Sequence, residues 1–230
     1  MTKETGIIMS GNHPRLILDN LKSQTRRTYG LEEINKCPDE WSVIEQPEHW
    51  SFYKHNEPDA EGHFIPINIK CHYGGVGDLL WCKEAFSYVE AKGEPCDFGV
   101  LYYADGEILW WRDNAGRMNY PIDTKKRPSI FMPRWASRIQ KPISSLRPER
   151  LWDMTEEDAI AEGCVSTWHL PGGNTTARYH FYELWDSLNA KRGYPWSMNP
   201  WCWCIKFSIL YECQPLTAKA ASLSLPNPEG

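Results

Sequence analysis

The residues best suited to chemistry lie in one short segment, residues 21–27. The segment holds a lysine, two hydroxyl side chains and two adjacent arginines: Lys22, Ser23, Thr25, Arg26 and Arg27. A hydroxyl becomes a strong nucleophile when a base takes its proton, and a lysine can be that base when burial or nearby cations lower its pKa. The spacing alone favours the plainer alternative, a solvated basic end of a helix.

The element expected to position this segment is the first helix. Asn12 and Pro14 supply a cap and a first-turn proline, and the helix is predicted to end near Lys22. Lys22 and Thr25 are three residues apart, so a helical or tight-turn backbone would place both on one side.

Two carboxylates lie beside apolar residues. Glu84 follows an apolar strand, and Glu162 ends a helix predicted over 155–162 by a T-x-x-D cap and a stop at Gly163. Burial could raise the pKa of either carboxyl group to a value at which it acts as a general acid or base. Each could instead pair with an arginine of the 21–27 segment, and for Glu162 a plain surface acid is the better reading.

A second group of charges lies in residues 125–150. This stretch carries eight basic residues against Glu149, a local balance of +7, although the whole chain has a net charge of −5. With Trp135 interleaved, it resembles a phosphate-contacting surface. The alternative is that these cations pair with the acidic helix that follows. The acidic average argues against a protein that coats nucleic acid nonspecifically.

The sequence predicts no metal and no cofactor. The eight cysteines are expected to be thiols, and Cys37 and Cys71 lack the spacing of a zinc motif, which leaves zinc there open. The glycine-rich run 74–77 precedes its strand, whereas a nucleotide-binding loop follows one.

The remaining pattern predicts an α+β fold built on a small, mostly antiparallel barrel with flanking helices. Strands are expected at 4–9, at 79–83, on both sides of Asp105-Gly106, at 137–146 and at 201–209, and the last of these is expected to have one core-facing side. A third helix carries the apolar stripe Phe181, Leu184, Trp185 and Leu188.

The domain is predicted over residues 1–213, with insertions near 28–70, 85–125 and 163–180, the first of them irregular, followed by a flexible tail at 214–230. No membrane-spanning or export segment is recognised, so a cytoplasmic protein is expected.

Six blocks of the sequence, taken together, resemble the ASCH domain family, a branch of the PUA-like barrels, and its long phage and prophage members most of all. The blocks are residues 21–27, 77–84, 127–138, 155–163, 184–189 and 199–207. The resemblance implies a PUA-like barrel and, for a phage or prophage protein, a location in the bacterial host cell.

Small members of this family include N4-acetylcytidine amidohydrolases, which use a Lys-x-x-Thr motif and a later glutamate. By resemblance, Thr25 is the nucleophile, Lys22 its base and Glu162 the group that handles protons at the leaving amine. Substrate-binding roles are then expected for Arg26, which could stabilise an oxyanion, and for Arg27, Glu84, Arg134, Trp135 and Arg138. This chain is about twice as long as those hydrolases, and Ser23 stands where their motif usually has threonine.

The sequence leaves several functions open. One is amide hydrolysis on a modified nucleoside; another is a non-catalytic module that binds RNA, DNA or a modified base, with RNA favoured over DNA. A structural role in phage development is a third. The oligomeric state is not determined by the sequence.

Overall fold

The computed structural model describes residues 2–46, 49–58, 61–90, 97–112, 125–167 and 173–208. Its strands are β1 (Glu4–Ile8), β2 (Gln24–Arg27), β3 (Trp41–Glu45), β4 (Trp50–Pro58), β5 (Phe64–Ile69), β6 (Leu79–Lys83), β7 (Phe86–Glu90), β8 (Asp97–Tyr102), β9 (Ile108–Arg112), β10 (Gln140–Arg150) and β11 (Trp201–Phe207). Its α-helices are α1 (His13–Leu18), α2 (Glu156–Ala161) and α3 (Ala177–Asn189).

The strands form three sheets. A five-stranded sheet has the order β1-β6-β10-β11-β2, and two three-stranded sheets have the orders β3-β4-β5 and β7-β8-β9. The pair β1–β6 is parallel and the other pairs are antiparallel. The expected α+β class, rich in antiparallel sheet, is therefore confirmed. In the described ranges, β1 and β2 are the two edges of the five-stranded sheet and no ladder joins them.

Strand β11 lies next to the edge strand β2 and is buried on both faces. Trp203 and Ile205 belong to the main core with Ile7 and Leu80, whereas Cys202 belongs to a second core with Phe181. The prediction of a single core-facing side is wrong, because α3 covers the second face. The cysteines of β11 are small buried side chains in these cores.

The first helix ends earlier than the sequence predicts. Helix α1 stops at Leu18, and the backbone N–H groups of Leu21 and Lys22 both donate to the carbonyl of Leu16, at 2.8 and 3.0 Å. Asn20, with φ of 59°, reverses the chain. Lys22 therefore follows the helix, in a turn closed on Leu16, and Thr25 lies on strand β2. The predicted helix end near Lys22 is wrong, and so is the helical one of the two backbones expected for the pair.

The sequence predicts irregular structure over residues 28–70, and this prediction is wrong. They contain the sheet β3-β4-β5, in which Trp41 and Phe52 join the main core. The pattern hides these strands because β5 exposes its apolar residues, Ile65 among them, instead of alternating them with polar ones.

Several local predictions are confirmed: the strand at 79–83, the turn at Asp105-Gly106 between β8 and β9, and the capping box of α2, with Thr155 as its N-cap. The strand predicted at 137–146 is displaced to Gln140–Arg150. The predicted tail 214–230 lies outside the described residues, as do 91–96, 113–124 and 168–172 within the predicted insertions.

Gly163 ends α2 as the sequence predicts. Its φ is 92°, and a Cβ there would lie 2.8 Å from Cδ1 of Leu16 and 3.4 Å from Cβ of Lys22. The glycine thus satisfies a left-handed backbone and also allows α2 to approach the turn that carries Lys22.

We expect Gly163→Ala to destabilise the fold more than Gly193→Ala does. Both residues have φ near 90°, but a Cβ at Gly193 would meet nothing within 4 Å. Each substitution should cost about 1–2 kcal/mol for the left-handed backbone, and displacing the end of the Leu16 side chain at Gly163 should add about 1 kcal/mol, the low end of the cost of overpacking. Urea unfolding of the two variants measures the difference. Equal losses would contradict the close packing at Gly163.

Candidate active site

A cavity of about 370 Å³ opens beside the edge strand β2 and brings together the three residues that the sequence resemblance singles out, Lys22, Thr25 and Glu162. It is enclosed by the end of β1, by β2, by the C-terminal end of α2 and by one side of α3. The volume is in the range of small-molecule sites in proteins.

Lys22 and Glu162 form a buried ion pair at the base of this cavity. The Lys22 Nζ donates to Oε2 of Glu162 at 2.7 Å and to its backbone carbonyl at 2.8 Å. The side chains are only 1% and 4% exposed. The backbone fixes the pair, because the N–H of Ser23 donates to the carbonyl of Ala161 at 2.9 Å and so ties the Lys22 turn to α2.

Burial lowers the pKa of Lys22, because it penalises the charged form. Glu162 opposes this effect, and the positive charge of Arg27 adds to it. An ammonium held in this way gives up its proton more readily than a solvated lysine. The site therefore contains a nitrogen suited to taking a proton from a neighbouring group.

The Thr25 hydroxyl lies beside a guanidinium. Thr25 and Arg27 are two residues apart on β2, so both side chains point to one face, and Nη1 of Arg27 donates to Oγ1 of Thr25 at 2.7 Å. The Arg27 Nη2 donates to the carbonyl of Ile8 at 3.0 Å and so spans the gap between β2 and β1. A cation in this position stabilises negative charge on the Thr25 oxygen.

Arg26 points to the opposite face and holds the carboxylates. Its Nε donates to Glu149 at 2.7 Å, and its Nη1 and Nη2 lie 3.2 Å from Glu162 and Asp158. This arginine contributes to the cavity wall, but its charge is committed to three carboxylates. Arg27, and not Arg26, is the guanidinium at the hydroxyl.

The walls of the cavity are apolar and aromatic. From α3 come Phe181, Leu184, Trp185 and Leu188, the four residues of the predicted stripe. Facing solvent at the other side are Tyr29, His72 and Tyr73, in edge-to-face contact with ring centroids 4.7 and 5.5 Å apart. Sequence reasoning missed this aromatic cluster, because its members lie in loops that no periodicity connects.

His13 also borders the cavity. Burial and the nearby charges of Lys22 and Arg27 lower its pKa to about 4, so the imidazole is neutral at neutral pH. It adds a polar group to the wall without adding charge.

The other expected binding residues lie elsewhere. Arg138 is buried against Glu84 in a two-bonded ion pair, with both distances 2.9 Å. Arg134 pairs with Glu4 at 2.8 Å, and Trp135 stacks on Tyr88 with ring centroids 6.1 Å apart. Glu84, Arg134, Trp135 and Arg138 do not line the cavity, whereas Arg26 and Arg27 do.

At least four of the eight basic residues in the stretch 125–150 form ion pairs with carboxylates. Besides Arg134 and Arg138, Arg147 pairs with Glu149 and Asp158, and Arg150 pairs with Asp39. Of these four arginines, Arg147 contacts an acid of the helix that follows, Asp158. Arg134, Arg138 and Arg150 therefore pair with acids from other parts of the chain, and their charges are not available as an open phosphate-contacting surface.

No group of His, Cys, Asp and Glu side chains within the described ranges is arranged to hold a metal ion. Cys37 and Cys71 are free thiols, and burial raises the pKa of Cys71 to about 11. None of the helices described has the length and apolar character to cross a membrane. No family model, curated protein or solved structure matches this chain.

We expect Glu162→Gln to cost about 3–5 kcal/mol of unfolding free energy, because it leaves Lys22 and Arg26 buried without the carboxylate they share. Glu157→Gln, at an exposed site in the first turn of the same helix, should change stability by less than about 0.5 kcal/mol. Urea unfolding at neutral pH compares the two. Equal small effects would contradict a buried Lys22–Glu162 pair.

A pH dependence should follow from Lys22. Its pKa in the fold lies below the ordinary 10.5, so between these two values the unfolded chain binds more protons and the free energy of unfolding rises with pH. Lys22→Met removes this contribution. The stability of the wild type minus that of the variant should therefore increase as pH approaches 10.5. A difference that stays flat or falls would contradict the lowered pKa.

Proposed function

We propose that this protein is an amidohydrolase of the N4-acetylcytidine type, which removes an acyl group from the exocyclic amine of a modified nucleobase. The observation that carries the proposal is a buried Lys22–Glu162 pair and the Thr25 hydroxyl on one cavity. These are the residues that the ASCH resemblance implies. A PUA-like barrel belongs to the same proposal, with the seam between β1 and β2 as the place where the ligand enters.

The chemistry begins from the form of the pair in which the shared proton lies on Glu162. Thr25 Oγ1 attacks the acyl carbon and its proton passes to Lys22 Nζ. The C–N bond then breaks, and the leaving nitrogen takes a proton from Glu162. Water next hydrolyses the Thr25 ester: a water proton returns to Glu162, the remaining hydroxide adds to the acyl carbon, and Lys22 returns its proton to Thr25. Acetic acid is released and ionises to acetate in solvent.

Arg27 supports this sequence in its first step. Its guanidinium lies 2.7 Å from Thr25 Oγ1 and so stabilises the charge that develops there as the proton leaves. Arg26 acts indirectly, since it holds Glu162 from the side opposite Lys22. It is a positioning residue in this mechanism.

The cavity walls suit a planar, weakly polar base. Phe181 and Trp185 line the cavity on the α3 side, and Tyr29 and Tyr73 line its rim. Stacking on aromatic side chains is the common way in which proteins hold unpaired bases. In this proposal the exocyclic amide is placed at Lys22, Thr25 and Glu162.

One observation favours binding without catalysis as the alternative. On the outer side of α3, Tyr179, Tyr182 and Trp196 line a shallow groove, and the Arg178 guanidinium lies 5.7 Å from the Trp196 ring. Such a surface offers stacking positions for a single strand of RNA or DNA.

We expect the purified protein to release acetate and cytidine from N4-acetylcytidine. Thr25→Val and Lys22→Met should each lower the rate about a thousandfold or more, because neither can replace the nucleophile or its base. Chromatography of the nucleosides measures the rate. Ser23→Ala, which removes a hydroxyl of the same segment that does not line the cavity, should retain it.

Folding of each variant is checked by circular dichroism. A wild-type protein with no turnover, yet stabilised against heat by N4-acetylcytidine, would replace the hydrolase with the binding module. Turnover that survives Thr25→Val would reject Thr25 as the nucleophile.

A further inference from the structure

The charges that line the cavity do not balance. Lys22, Arg26, Arg27 and Arg192 are cations, and Glu162 is the carboxylate among the lining residues, which leaves four positive charges against one negative charge. Arg26 has two further acids, Glu149 and Asp158, outside the cavity. The excess therefore rests on Arg27 and Arg192.

Neither of these two arginines has a carboxylate partner in the described part of the chain. Arg27 spends its donors on Thr25 and on the backbone carbonyls of Arg26 and Ile8. Arg192 makes no ion pair with another described residue. Unpaired cations at the wall of a concave site attract an anion more strongly than the same charges on a flat surface.

Arg192 lies at the mouth of the cavity. It ends the short 3₁₀ turn Ala190–Arg192 that follows α3, and Gly193, with φ of 91°, turns the chain away. The side chain is exposed. Tyr73 also lines the cavity. Burial raises the pKa of Tyr73, and the positive charges of Arg27 and Arg192 both act in the opposite direction. Both guanidiniums therefore act electrostatically on the same lining residue.

We propose that Arg192, supported by Arg27, forms a phosphate subsite at the cavity mouth, so that the preferred ligand is a nucleoside phosphate unit and not a neutral nucleoside. This inference rests on the proposed function and names its substrate class. In this placement the base lies between α3 and the aromatic rim, and its exocyclic amide lies at Lys22. Because the sugar is attached at the opposite edge of the base, the sugar and its 5′ carbon face the cavity mouth. An Arg–phosphate contact is a charge-assisted hydrogen bond of fixed geometry.

A matched control stands next to Arg192. Lys191 lies in the same 3₁₀ turn and is also exposed, but it does not line the cavity. Arg192→Ala and Lys191→Ala therefore remove the same charge from neighbouring positions, and only the first removes it from the proposed subsite.

The test measures binding of cytidine and cytidine 5′-monophosphate by calorimetry at two salt concentrations, and turnover of their N4-acetyl forms. The wild type should prefer the monophosphate about tenfold or more, with an advantage that falls at high salt. Arg192→Ala should abolish the preference for the monophosphate, because it removes the guanidinium that contacts the phosphate. Lys191→Ala should retain the preference.

A third ligand, a short oligoribonucleotide with one internal N4-acetylcytidine, distinguishes free nucleotide from strand. Turnover of this ligand that also depends on Arg192 would place the phosphate in an RNA chain; exclusion of it would place the phosphate on a mononucleotide. Equal affinity for nucleoside and monophosphate, or an equal loss in both variants, would overturn the subsite. Because N4-acetylcytidine turnover is measured separately, that result would leave the hydrolase standing, whereas absence of all turnover and binding would reject the proposed function itself.

Discussion

Removing a charged side chain from water costs free energy that an oppositely charged partner must offset. Lys22 and Glu162 are both buried, so the surrounding structure has to hold them in contact. The pair joins residues 140 positions apart in the chain. To form, it needs the turn after α1, the C-terminal end of α2 and the start of β2 at one place. Arg26 extends the same requirement to Glu149 on β10. The ion pairs therefore connect the helices to the sheet through the proposed site.

This arrangement also explains why a hydroxyl on an ordinary strand could be reactive. Burial lowers the pKa of Lys22 and so favours its neutral form, which is the form that can take a proton from a hydroxyl, and Glu162 is in direct contact with this amine. Arg26 and Arg27 are consecutive residues of β2, so their side chains point to opposite faces of the strand. Arg27 meets Thr25 on one face, and Arg26 meets the carboxylates on the other.

The seam between the edge strands β1 and β2 provides the space. No ladder joins these strands in the described ranges, and the Arg27 side chain reaches across from β2 to the carbonyl of Ile8. On β1, Gly6 leaves room for its neighbour, since a Cβ there would lie 2.6 Å from the Trp81 ring. An edge left open in this way exposes backbone and cavity to a ligand, which a fully closed sheet would not do.

The sequence by itself determined the local features: the capped start of α2, its end at Gly163, the turn at Asp105-Gly106, and the unusual density of reactive side chains around Lys22 and Thr25. These depend on a few consecutive residues and on backbone preferences that act within one turn. Only the tertiary structure decided that Glu162 is the partner of Lys22, that Arg138 is buried against Glu84, and that Arg192 stands at the cavity mouth. Charge compensation and burial arise from contacts between distant segments, and no spacing along the chain encodes which distant acid reaches which cation.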